Sequence, residues 1–154
     1  EKNARAESLQ MTRKIENIVI HCSATKPNQD VGSNEIRSWH MAKGWRDIGY
    51  HFVVRRGGQI EMGRRLDVIG AHVKYHNRAS VGICYVGGID EEGNPEDNRT
   101  GPQKKSLELL VRLLWAMYPD AEVLGHCDFP GVAKACPCFS VKDWLESLEC
   151  HRSP

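Results

Sequence analysis

Several protein classes are excluded by what the sequence does not contain. No apolar run approaches the length that spans a bilayer, so a helical membrane protein is out of the question. Charge of one sign is not in excess: 21 basic residues face 20 acidic ones, and the net charge is +1. That balance is no footprint for nucleic acid or anionic lipid. The first residues, EKNARAESLQMTRK, are charged but hold no apolar h-region, so they do not read as a secretory signal peptide. They read as a polar arm over residues 1–14, with Met11 as an alternative start. There is no internal repeat, no low-complexity linker and no HExxH pair, and the last absence excludes that protease chemistry.

What is present is an ordinary globular composition, 40% hydrophobic and 27% charged over 154 residues. That suits one domain with one core. Six cysteines stand at positions 22, 84, 127, 136, 138 and 150. An even number in a short chain raises the disulfide reading. Their placement argues against it. Cys22 and Cys84 lie in apolar strand-like runs, where free cysteine behaves as a small hydrophobe. The other four cluster late around one histidine, which looks more like metal chemistry.

Strands and helices alternate along the chain. NIVIHC is short, apolar and β-branched, the pattern of a buried strand. Ser33 is placed to cap a helix carrying Ile36, Trp39 and His40 on one face, with Trp39 expected in the core and Gly44 past the helix end. YHFVVRRGGQIEMG reads as a hairpin about Gly57-Gly58, and SVGICYVGG as another buried strand. DEEGNPEDNRTG is a surface loop. Thr100 and Gln103 form a capping box ahead of a helical face of Leu107, Leu110, Val111, Leu114 and Tyr118. AEVLGH is a short strand ending in His126. A last helix, capped by Ser140, turns Val141, Trp144, Leu145 and Leu148 inward. The pattern predicts an α/β fold with a mixed sheet, because the hairpin makes one strand pair antiparallel.

Two of these strands end in histidine, and strand ends in such sheets are where binding sites form. His21 and His126 sit there, and Cys136 follows His126 across a loop with Pro and Gly. Two imidazoles and a thiolate make a three-ligand zinc set with a fourth position for water, the pattern of a catalytic site. Spacing alone leaves two other readings beside it. A histidine at a strand end can be an ordinary packed residue, and Cys136, Cys138, Cys150 and His151 could form a structural zinc knot.

The segments IVIHCSATKPNQDVG, EIRSWHMAKGWRDIGYHFVV, GAHVKYHNRASVGICYVGGID and KACPCF together resemble the zinc-dependent N-acetylmuramoyl-L-alanine amidases of type 2, the family that includes peptidoglycan recognition proteins. The resemblance covers nearly the whole chain in order, and sets the amidase domain at residues 15–150. It implies a central mixed sheet flanked by helices, with Zn2+ in a surface groove. It places the metal ligands on His21, His126 and Cys136, the catalytic tyrosine of GYHF on Tyr50, and the catalytic lysine of KACP on Lys134. His72 in GAH and Asn77 in HNRAS match groove-lining, substrate-binding positions, although Asn77 also reads as a turn residue.

The resemblance implies hydrolysis of the peptidoglycan amide between the lactyl group of N-acetylmuramic acid and L-alanine. Lys134 would stabilise charge on the carbonyl oxygen, and Tyr50 would hydrogen-bond the attacking water or the leaving nitrogen. The partners implied are the stem peptide and muramic acid. The setting implied is an endolysin made in the cytoplasm that reaches the wall after membrane breach. Alternatives are a peptidoglycan-binding module without catalysis, and a second role as inhibitor of phage RNA polymerase. Among the other histidines, His51 should point away from Tyr50 by strand alternation, and His40, His76 and His151 read as packed or solvated. A phage member of the family has histidine where this chain has Cys127 and serine where it has Cys138. Its loop before the lysine is also two residues shorter. Both extra thiols are expected to stay reduced and off the metal.

Overall fold

The computed structural model describes residues 13–149. Among them, β1 is Asn17–Cys22, β2 Phe52–Val54, β3 Ile60–Met62, β4 Ser80–Tyr85 and β5 Glu122–Gly125. Helix α1 is Ser33–Ala42, α2 Gly101–Met117 and α3 Val141–Glu149. The strands form one sheet in the order β3-β2-β4-β1-β5. β1 pairs in parallel with β4 and with β5, β2 pairs in parallel with β4, and only β2–β3 is antiparallel. The sheet is therefore mixed, as the hairpin pattern predicts. No helix among the described residues is long and apolar enough to cross a membrane.

β1 is the centre of the molecule because its inward positions are apolar on both faces. Alternation sends Ile18, Ile20 and Cys22 toward Leu107, Leu110, Val111 and Leu114 of α2 and Val141 of α3. Val19 lies on the opposite face with Val73 and Phe129, and His21 shares its parity. On that same side Ile36 of α1 packs with Ile48, Val53 and Cys84. The expected capping box at α2 is formed: the Gln103 backbone N–H donates to Thr100 Oγ1 at 3.1 Å, and the Thr100 N–H donates to Gln103 Oε1 at 3.0 Å. The α3 cap is also as expected, with the Asp143 N–H on Ser140 Oγ.

Two sequence expectations fail at α1. Ser33 is the first helical residue and not its cap. Gly32 holds the cap position, with its N–H on the Glu35 carboxylate, while the Ser33 N–H donates to Glu61 Oε1. Two carboxylates thus do for these donors what a serine hydroxyl would do elsewhere. Trp39 is 42% exposed and is not core. α1 buries only a narrow stripe through Ile36 and His40, and Trp39 falls beside it. The Arg13 guanidinium donates to the carbonyls of Leu66, Asn77 and Ser80, which ties it to the loop before β4.

Candidate functional site

The register of the parallel strands explains why two distant histidines meet. Ile20 of β1 is paired with Gly125 of β5. The next residues are His21, still in β1, and His126, which lies just past the end of β5 and opens a short 3-10 turn rather than ending the strand as expected, so both imidazoles leave the carboxyl edge of the sheet side by side. Their ring centroids are 4.7 Å apart. Cys136 returns to this edge at the end of the 126–136 loop, which is pinned where the Cys127 N–H donates to the Cys136 carbonyl at 2.8 Å. Cys136 Sγ lies 3.9 Å from His21 Nδ1. One ligand atom from each of His21, His126 and Cys136 falls within 4.8 Å of the others, and this is the one such group among the described residues. Tetrahedral zinc, with Zn–N about 2.1 Å and Zn–S about 2.3 Å, spaces its ligands roughly 3.4–3.7 Å apart. The donor chemistry fits that ion, and the donor atoms stand somewhat wider than its ligand spacing.

The trio meets an open groove of about 670 Å³ through His126. His126, His72, Asn77, Trp45, Tyr75 and Lys134 are among its lining residues. His21 lies beneath it, buried. Lys134 is exposed on the groove, and its charge adds to burial in lowering the His126 pKa. Burial, with the neighbouring His72 and His126, holds His21 well below the ordinary histidine value. Both imidazoles are thus kept neutral, the form in which histidine binds metal.

Tyr50 packs its ring 5.1 Å from that of His21. Burial, followed by the nearby thiols of Cys84, Cys136 and Cys22, pushes its pKa well above the ordinary value. It is a phenol that keeps its proton. Asn77 reaches the groove but is occupied: its Oδ1 accepts the backbone N–H of both His72 and Val73 at 2.8 Å. The turn role and the groove position therefore coexist in that residue.

His51 does point away from the trio. Its Nδ1 accepts the Gly82 N–H at 3.0 Å and its Nε2 lies 2.8 Å from the Val68 carbonyl. His40 is packed, with Nδ1 accepting the Gly49 N–H, and His76 lies against Phe129. Cys150 and His151 fall outside the described residues.

One neighbour of the trio was not legible in the spacing. The Cys22 N–H donates to Cys136 Sγ at 3.2 Å, and Cys22 Sγ lies 3.8 Å from Cys138 Sγ. Cys22 had read only as a small strand hydrophobe; its position next to His21 was the available signal. All five described cysteines are free thiols. Cys138 faces Cys22, whereas the Cys127 thiol lies near Asp128. Burial and the adjacent Cys22 push the Cys138 thiol up to about 12.

Comparison with known proteins gives a consistent set of relatives. A family model described as N-acetylmuramoyl-L-alanine amidase matches residues 11–139. The chain is 47% identical over 143 residues to an endolysin of Enterobacteria phage K11, covering 92% of this chain and 93% of that one. It is 46% identical over 132 residues to the endolysin of Escherichia phage T7, covering 86% of each. Among solved structures, the N-acetylmuramoyl-L-alanine amidase LysC from Clostridium intestinale URNW superposes with a TM-score of 0.74 at 26% identity, covering 92% of this chain and 88% of that chain.

Proposed function

The chain belongs to the N-acetylmuramoyl-L-alanine amidase family, and from that membership we propose that it is a zinc-dependent endolysin-type hydrolase of peptidoglycan. The bond cleaved is the amide between the lactyl group of N-acetylmuramic acid and L-alanine. The observation that carries this reading is the His21, His126 and Cys136 trio, converging within 4.8 Å at a groove that also presents Lys134.

His21, His126 and Cys136 would hold the metal, leaving a fourth position to the groove. When bound, zinc supplies Lewis-acid polarisation of a carbonyl and a nucleophile at neutral pH. The chain's own residues do the rest. The groove seats the stem peptide and the muramic acid, with His72 and Asn77 on its wall. Lys134 places an ammonium beside His126, where negative charge develops on the carbonyl oxygen. In a partly dry groove a single positioned donor of this kind is worth about 3–4 kcal/mol of barrier. Tyr50 keeps its phenolic proton and is a hydrogen-bond donor for the reacting centre. The Cys22 N–H holds the Cys136 sulfur and disperses charge on the thiolate.

The test is digestion of purified sacculi followed by mass spectrometry of the released fragments. Stem peptides bearing a free N-terminal L-alanine are expected, and a zinc chelator should abolish their release without unfolding the domain. New reducing sugar ends instead would refute the bond assignment. Chelator-insensitive release would refute the metal. Binding to sacculi with no release would mark a receptor that keeps only the groove.

A further inference from the structure

The histidine partner of His21 is itself seated with unusual care. His21 Nε2 lies 2.9 Å from His72 Nδ1, while His21 Nδ1 faces Cys136 Sγ at 3.9 Å. A neutral imidazole has one proton. If Nδ1 is to offer a lone pair to a metal, the proton must sit on Nε2 and needs an acceptor. His72 Nδ1 is at that place. The opposite arrangement, with His72 donating, would put the His21 proton on Nδ1 and aim it at the thiol, where it would block the ligand atom.

We infer that His72 is the positioning residue of the metal centre, its Nδ1 accepting the His21 Nε2–H and so fixing the tautomer and ring angle that present His21 Nδ1 to zinc. This rests on the metal reading above. Three features of the fold support it. First, with His72 Nδ1 as acceptor, its own proton lies on Nε2, and that atom is buried with no partner among the described residues. An orphaned buried donor is ordinarily selected against, so the ring is not placed there for its own satisfaction. Second, the ring rests on Gly82 of β4, the residue paired with Val19 of β1. A Cβ at Gly82 would stand 2.7 Å from His72 Cγ and Cδ2, so only glycine in that strand admits the ring beneath His21. Third, the His72 backbone is clamped by Asn77 Oδ1. Asn77 thereby reaches the metal centre through His72, and Gly82 does the same through space it leaves empty.

Partners of this kind usually change metal affinity by 10–100-fold when removed. The test measures zinc dissociation constants by competition with a chelator of known affinity, for the wild type, His72→Ala, His72→Asn and Gly82→Ala. Asparagine places Oδ1 near the position of Nδ1 and restores the acceptor. His72→Ala and Gly82→Ala should bind zinc about 10–100-fold more weakly, and His72→Asn should return close to the wild type. Thermal melts of the metal-free proteins should not follow the same order, because the lost interaction belongs to the metal centre. Equal zinc affinity in His72→Ala and the wild type would overturn the inference, as would His72→Asn behaving no better than His72→Ala. A wild-type protein that binds no zinc would overturn the metal reading, and this inference with it.

Discussion

His51 makes the fold sensitive to acid in a way that can be isolated. Both ring nitrogens are committed: Nδ1 accepts the Gly82 N–H at 3.0 Å, so Nε2 carries the proton and donates to the Val68 carbonyl at 2.8 Å. A second proton could enter only at Nδ1, where it would confront the Gly82 N–H. Burial is the main cause that lowers the His51 pKa from 6.5 to about 4. The unfolded chain therefore takes up this proton more readily than the folded one. The stabilisation is complete above about pH 6.5 and is lost as the pH falls toward 4. At about 1.4 kcal/mol per pH unit, the whole effect is about 3 kcal/mol, and most of it is gone by about pH 4.5. The assay is urea denaturation of the metal-free protein at pH 7.5 and pH 4.5, for the wild type and His51→Asn. Asparagine keeps an acceptor for Gly82 but cannot titrate. The wild type's advantage over the variant should shrink by roughly 2–3 kcal/mol between the two pH values. Parallel stability curves for the two proteins would refute the assignment.

Lys134→Ala and Tyr50→Phe should each lower turnover on sacculi about a hundredfold or more with zinc content unchanged; near-normal rates in either would remove that residue from the chemistry. Tyr75 is 87% exposed at the groove rim with φ of 72°, a conformation costly for a bulky residue. Tyr75→Asn should therefore stabilise the protein by about 1 kcal/mol, and a lowered melting temperature would show that the ring has packing to lose. Cys127→Ser/Cys138→Ser should keep its zinc and its activity, since neither thiol belongs to the trio; loss of zinc on atomic absorption would refute this.

The fold was legible wherever local chemistry and burial agree. NIVIHC forms β1 over the expected residues because both faces of that strand are covered and its central positions, Ile18, Val19 and Ile20, are apolar. The Thr100–Gln103 box is likewise local. α1 was read less well because its start and its face depend on distant residues. Glu61, on β3, takes the Ser33 N–H that a local cap would take. The width of the buried stripe is set by Ile48 and Val53, which leaves Trp39 at the edge although its helical spacing allows burial.

The site divides along the same line. That His21 and His126 lie near the ends of strands can be read from the residues; that those strands are adjacent cannot. It follows from the pairing of Ile20 with Gly125, which no spacing states. The contact between His21 and His72 spans 51 positions and depends on a glycine in a third segment. Once formed, this cluster has a collective property that no single residue carries. On top of burial, His72 and His126 lower the affinity of His21 for protons, His51 and His126 lower that of His72, and Lys134 lowers that of His126. Charging any one of them would place a cation among neighbours that cannot move away from it. The folded chain therefore holds a set of neutral imidazoles at the groove. The consequence is that His21 and His126 meet little competition from protons near neutral pH, so a metal bound there would depend on the geometry that the strand register supplies.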